Sequence, residues 1–424
     1  MSLPQRAGAL SGPQIGLKTD LLPAKKKERI EEVTLLRAFA FLAITLQHCI
    51  AEYIYRADIL QPDAIMLAML FDFTRFGTPT FVFLSGLLLF YNNNSGKLAY
   101  WPFVRNKLTA IYLPFLCWTV IYWIAVQLIS FGQLGNPADW PRTLLHQLFQ
   151  PTNGYHLWFI LMIFQYYLLF PLFAFAVNKV RRKLQEMPGG ASFRSVFLIV
   201  AVLGALYGIL MWLSSYRMPD WAAEWGGFWA DVLSYRTYYF VFYFFYFLLG
   251  AVCAFGLQRW RRFVENGFIG FGFAFIALYI WQGHEFLNYS TEQMNLNFAG
   301  YLRPLTFVLI VFQLLVLYGI VLVVQKKGGA ARKVMHFIGT YSFGGFLAHA
   351  FVLMLISSIT RPLVLTGYHL PAAALTFIAT AAGSIALAKL LSKLSFGHWL
   401  IGTTGKQAKR NRMEAAPVKH TFPQ

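Results

Sequence analysis

Arg37 and His48 lie in one apolar stretch. Residues 33–55 read VTLLRAFAFLAITLQHCIAEYIY, which is apolar enough to enter a bilayer. Ionisable side chains inside a membrane span are costly and mark function or a buried pairing. The two residues are eleven positions apart, which at about 100° per residue brings them within about 20° of the same helix face. At about 1.5 Å of rise per residue they stand about 16 Å apart, so they do not touch and each serves something else on that face. His48, about 22 Å above Val33, reaches the far half of the membrane. A neutral imidazole there is equipped to act as a general base or as a nucleophile. The plain alternative is a histidine satisfied between helices. Arg37, about 6 Å above Val33, either snorkels to the headgroups or meets an anionic donor whose phosphates suit a fixed guanidinium.

A second apolar stretch, 64–91, carries Asp72 and Arg75 at i, i+3 spacing. In one reading they neutralise each other. In the other, depth is the guide. Asp72 lies about 12 Å below the start of its descending span and His48 about 10 Å below the end of its ascending one. Asp72 is then placed to orient His48, as a carboxylate orients imidazole in hydrolytic triads. Gly77, Thr78 and Pro79 predict a kink in this span, and Ser85 with Gly86 forms a small-residue patch suited to close helix approach.

The elements that position these residues follow from composition. Of the 424 residues, 58% are hydrophobic and only 12% charged, about half the charged share of a soluble domain. The apolar residues fall in ten runs long enough to cross about 30 Å of hydrocarbon as helices. The runs lie near 33–55, 64–91, 108–131, 155–178, 194–215, 235–257, 266–283, 303–325, 335–358 and 371–394. The fold class is therefore an all-α polytopic bundle of about ten transmembrane helices. Most of the 36 Lys and Arg residues sit in one alternate set of loops and in the two termini. The opposite loops hold only Arg56, Arg142, Arg217, Arg236, Arg303 and Arg361, and no lysine. That asymmetry places both termini in the cytoplasm. Residues 1–32, with the run KKKER, and 395–424 are expected as basic cytoplasmic tails flanking one membrane domain, 33–394.

The net charge of +19 does not make a nucleic-acid site, because the basic residues are scattered through short loops rather than gathered on a face. Cys49, Cys117 and Cys253 all fall in apolar runs with no metal or disulfide spacing, and read as small core residues. The longer outer loops, 132–154, 216–234 and 284–302, contain Trp140, Trp221, Trp225 and Trp229. Such aromatics either stack on sugar rings or form an interfacial belt.

An Arg, ten intervening residues and a His in a first span resemble the signature of the membrane-bound acyltransferase 3 family. Further stretches are similar in the same order. FVFLSGLLLF resembles the family's Phe-rich run into Ser-Gly-Phe, with Leu87 in the last place. The loop KLAYWPFVRNKLTAIYLP resembles its Arg-rich loop ahead of a proline, with Arg105 matching, Leu108 standing where a second arginine three residues on is looked for, and Lys107 as its substitute. Tyr155-His156-Leu157-Trp158-Phe159, followed by Tyr166 and Pro171, resembles its His-Leu-Trp-Phe motif. YSFGGFLAHAFVL carries a matching Ser342 and His349, seven apart on one helical face.

The resemblance implies an O-acyltransferase that moves an acyl group, usually acetyl, from cytoplasmic acyl-CoA to a cell-surface polysaccharide or related glycan. No permanently bound cofactor is implied, and acyl-CoA is the donor substrate. His48 and Asp72 are then the catalytic candidates, with Arg37, Arg105 and Lys107 on the donor. Arg75, Ser85, His156, Trp158, Ser342 and His349 are the acceptor or cavity candidates. The expected setting is the cell envelope, in a bacterial plasma membrane among its lipids. A branch similar to this family exports surface polysaccharide, and a transporter also needs a polar cavity with charged residues along a path. The absence of a detectable inverted repeat argues mildly against export.

Overall fold

The computed structural model describes residues 29–93, 98–186, 192–290 and 294–402. The chain divides into two units, Met1–Glu31 and Glu32–Gln424. In the first, Arg29 Nε lies 3.7 Å from Glu31 Oε1; of the expected N-terminal tail 1–32, residues 1–28 lie outside the described residues and Glu32 already belongs to the first helix. The second unit is helical, and no strand occurs among its described residues.

Its first helices are α1 (Glu32–Ala51), α2 (Gln61–Phe73), α3 (Gly77–Asn92), α4 (Tyr100–Lys107) and α5 (Leu113–Phe131). Next come α6 (Trp140–Phe149), α7 (Trp158–Glu186), α8 (Phe193–Tyr216), α9 (Met218–Trp225), α10 (Gly227–Ser234) and α11 (Phe244–Phe255). The last are α12 (Leu257–Asn288), α13 (Pro304–Lys327), α14 (Gly329–Thr360), α15 (His369–Leu391) and α16 (His398–Ile401). Among the described residues, nine helical segments are long and apolar enough to cross a bilayer, and they overlap nine of the ten expected runs. The tenth, expected over 235–257, is met by the shorter apolar stretch Phe240–Phe255.

Helix α1 is the hub. Most of its residues are buried, and it packs against α3, α13, α14 and α15. Two backbone-to-backbone crossings frame it. A Cβ at Gly339 of α14 would strike the Thr34 carbonyl of α1. A Cβ at Gly86 of α3 would strike the Phe247 carbonyl of α11, and one at Gly250 of α11 the Phe83 carbonyl of α3. Small residues permit such approach where no hydrophobic force drives helices together. The close approach expected of the Ser85–Gly86 patch is thus made by Gly86. Helices α8 and α12 lie at the periphery, exposed along most of their length, as lipid-facing helices are.

The expected kink falls just ahead of Gly77-Thr78-Pro79, where a 3₁₀ turn, Thr74–Phe76, joins α2 to α3. Its carbonyls find side-chain donors. Tyr279 OH donates to Met69 O at 2.7 Å, Thr74 Oγ1 to Phe71 O at 2.8 Å and Gln313 Nε2 to Phe73 O at 2.5 Å. A helix break at membrane depth persists only when its backbone groups are paired in this way.

Two segments differ from expectation. Part of the outer loop 284–302 is not at the surface. Met294, Leu296, Phe298, Ala299 and Leu302 are buried, and the segment packs into a core with Ile50, Tyr53, Leu67 and Phe286. Its five apolar side chains gain more from the bundle than from water, and its short 3₁₀ turn Leu296–Ala299 pairs backbone groups locally. The stretch from Ser395, expected as a tail, instead closes onto the bundle through α16. Trp118 Nε1 of α5 donates to Leu400 O at 2.8 Å, and Ile401 is buried. Residues 403–424 lie outside the described residues.

Candidate active site

Three histidines from three segments meet near the C-terminal end of α1. His48 stacks on His349 of α14, with ring centroids 5.2 Å apart and planes 30° apart. His349 meets His156 edge to face at 4.5 Å, and His156 lies 6.4 Å from His48. His156 belongs to the 3₁₀ turn Tyr155–Leu157 that leads into α7. His349 and His156 are buried, whereas His48 is partly exposed. Of the three imidazoles, His48 is therefore the one that an entering molecule can touch.

The inner two rings are held by backbone. Nδ1 of His349 lies 2.5 Å from the Phe346 carbonyl. A carbonyl only accepts, so Nδ1 carries the hydrogen and the lone pair is on Nε2. That Nε2 is buried without a hydrogen-bond partner among the described residues. An unpaired buried polar atom costs about 1–3 kcal/mol, so this cluster is poor for stability and points to function. Tyr122 of α5 fixes the helix beneath His349. Its hydroxyl donates to Leu347 O at 2.8 Å and accepts from Phe351 N–H at 3.0 Å. Its ring also lies 5.3 Å from His156.

Beside His48, Tyr155 is exposed, and the two ring centroids lie 4.8 Å apart with planes 61° apart. One turn beyond His48, Glu52 accepts from Arg361 Nε at 3.0 Å and from Nη2 at 2.8 Å. This ties the end of α1 to the segment after α14. Asp58 extends the tie, accepting from Leu365 N–H at 2.7 Å and lying 3.2 Å from His369 Nε2.

Beside His48 on α1, Gln47 opens a second polar wall. The Tyr301 hydroxyl donates to Gln47 Oε1 at 3.2 Å and stands 3.2 Å from Thr78 Oγ1. Arg75 lies flat between two rings, 4.0 Å from the Tyr301 centroid and 4.8 Å from that of Phe71, and its Nε donates to Ala299 O. Tyr243 is 6.2 Å from Tyr301, and Trp158 is 5.9 Å from Tyr243.

Asp72 does not join this wall. Its Oδ1 accepts from Gln282 Nε2 of α12 at 2.5 Å, so the carboxylate faces the periphery and does not orient His48. Depth along the helix was matched, but azimuth was not. Nor does Asp72 pair with Arg75, because the 3₁₀ turn between them rotates the guanidinium towards Tyr301 and Ala299.

The remaining candidates spread along the bundle. Arg37 is partly exposed in the first half of α1. Arg105 lines an open groove of about 510 Å³ with Trp101, Pro102, Asn106 and Thr109. Lys107 turns away from it, its ammonium 4.6 Å from the Tyr167 ring. Ser342 is two turns from His349, and its hydroxyl donates to Gly339 O at 3.0 Å, so it serves the α1–α14 crossing rather than the histidine cluster. Ser85 sits beside Gly86 on α3 and is partly exposed. Sequence reasoning left Gln47, Tyr122, Tyr243 and Tyr301 out of the site. A polar residue beside His48 was the one available signal; the tyrosines were hidden among the aromatics that make up 18% of the chain.

A family model described as an acyltransferase domain, acyltransferase 3, matches residues 30–391. The chain is 24% identical over 389 residues to the "Putative membrane-bound acyltransferase YfiQ" of Bacillus subtilis (strain 168), across 88% of this chain and 94% of that protein. No solved structure matches it. The matched range runs from the start of α1 to the end of α15 and encloses all three histidines, so this multi-pass membrane chain belongs to the acyltransferase 3 family and is an acyltransferase.

Proposed function

We propose that the enzyme transfers an acyl group, acetyl in the simplest case, from acyl-CoA to a hydroxyl of a cell-surface glycan, with His48 as general base. The observation that carries this reading is the exposure difference within the histidine cluster: His48 is open to an entering molecule while the rings behind it are sealed. His48 takes the proton from the acceptor hydroxyl as its oxygen attacks the thioester carbonyl. The new C–O bond forms, the C–S bond breaks, and the proton passes from His48 to the CoA thiolate. His349 and His156 hold the plane of His48 and do not touch substrate. The donor enters from the end where Arg37 and the Arg105 groove offer cations for its phosphates.

The test uses the purified full chain, acetyl-CoA and a panel of surface glycans, with thiol release as the readout. Removing a general base lowers turnover by about 10²–10⁴-fold, and His48→Ala is expected in that range. His48→Ala turning over like the parent would sink the assignment. Absence of CoA release with any glycan, alongside glycan movement across proteoliposomes, would replace the reaction with export. Label remaining on the protein when acceptor is withheld would make His48 an acyl carrier instead of a base.

A further inference from the structure

Arg75 is not used by the reaction just described, yet it is a charged group on the polar wall beside its centre. It sits at the break between α2 and α3, partly exposed, with its face covered by Phe71 and Tyr301. Its Nε is spent on Ala299 O. Among the described residues no carboxylate stands within 4.0 Å of it, since Asp72 is turned to Gln282. Asp72 attracts it across a longer gap, and a cation inside a bundle with no carboxylate in contact is expensive.

The groups around it share one bias. Gln47 accepts at Oε1 from Tyr301, which leaves its Nε2 as a donor, buried and without a partner among the described residues. The hydroxyls of Tyr243 and Tyr246 are likewise buried and unpartnered. The wall thus offers an amide N–H pair, two phenols and the outer edge of a guanidinium, all able to donate. A neutral sugar hydroxyl would not match this surplus; an anionic oxygen group would. Trp158 and Tyr301, both partly exposed, offer aromatic surface that suits the apolar face of a sugar ring.

We infer that Arg75, Gln47 and Tyr243 form a subsite for an anionic oxygen group on the acceptor, a sugar carboxylate or a phosphate, so that the acceptor is an acidic glycan. The subsite adjoins His48 through Gln47, its neighbour on α1. It anchors the acid group while a hydroxyl of the same or the next sugar reaches His48. This rests on the acyl-transfer reading for its purpose, but binding is measured without catalysis.

The experiment follows thermal unfolding of the purified full chain by tryptophan fluorescence. Probes are sodium glucuronate, glucose 1-phosphate, glucose, and sodium chloride at matched ionic strength. Glucuronate or glucose 1-phosphate is expected to raise Tm saturably by a few degrees, and glucose and chloride are not. Which of the two acts tells carboxylate from phosphate. Arg75→Gln is expected to abolish the rise, Arg75→Lys to retain part of it, and Arg142→Gln, an exposed cation elsewhere, to keep it whole. If Arg75→Gln does not fold, Gln47→Leu serves, with a weakened rise expected. A rise that survives Arg75→Gln or Gln47→Leu, an equal rise with glucose, or no rise with either acid overturns the subsite. Acyl transfer with the parent protein would then still stand.

Discussion

The wall behind His48 can be tested with one substitution, His349→Phe. His349 is fully buried and stacks on His48 with ring planes 30° apart, so it meets His48 through its face and not through a hydrogen bond. Phe keeps an aromatic face there. The swap loses the Nδ1–H bond to Phe346 O, a net contribution of about 0.5–1.5 kcal/mol, although that carbonyl keeps its place in the α14 ladder. It also removes the orphaned Nε2, relieving a desolvation cost of about 1–3 kcal/mol. The two terms offset each other, and Tm is expected to match or slightly exceed that of the parent. If His349 only holds the plane of His48, turnover falls by no more than about tenfold, a barrier change of about 1.4 kcal/mol. His48→Ala should lose about 10²–10⁴-fold, or roughly 3–5 kcal/mol. The assay is thiol release from acetyl-CoA beside a thermal melt. A His349→Phe protein that melts normally yet is as inactive as His48→Ala would refute the argument, because a His349 nitrogen would then take part in the proton transfer.

Two further substitutions test other contacts. Asp72→Asn keeps an oxygen that accepts from Gln282 Nε2, so turnover and Tm should both hold, whereas Asp72→Leu strands that amide and should cost about 1–3 kcal/mol; a hundredfold loss of turnover in the Asn variant would return Asp72 to the chemistry. Asp58 is held below the usual carboxylate range by the Leu365 N–H and, after it, by His369, and Asp63 faces the same ring at 4.0 Å. A depressed carboxylate contributes stability that is full above its unfolded value, about 3.9, and is lost as pH falls through the folded one. Asp58→Asn should therefore melt below the parent at neutral pH, with the gap closing in acid; a gap that stays constant down to about pH 3 would contradict this.

The membrane spans were legible because about twenty consecutive apolar residues have few other solutions. Helix α11 was harder to bound, since its first residues form 3₁₀ turns and only Phe244–Phe255 is regular helix. His48, His156 and His349 were each legible as candidates, but not as neighbours. Periodicity gives a depth and a face on one helix, never the rotation of one helix against the next. That gap is why Asp72, at the right depth, was paired with the wrong partner. It is also why Tyr301, in a loop read as exposed, was missed at the centre of the site. Buried non-helical backbone leaves no periodic trace.

The buried, unpaired Nε2 of His349 and an Arg75 with no carboxylate in contact would be expected to loosen the bundle around them, and the crossings at its edges explain how geometry is kept. Gly339 seats α14, which carries His349, directly on the backbone of α1 at Thr34. Gly86 and Gly250 lock α3 against α11, and Tyr243, the residue just before α11, packs beside Tyr301 on the Arg75 side. Backbone contact without intervening side chains leaves little room for rotamer adjustment, so the unsatisfied groups cannot turn to find one another. These groups therefore stay available to partners that arrive from outside, which in the proposed reading are a hydroxyl at His48 and an anionic oxygen group at Arg75.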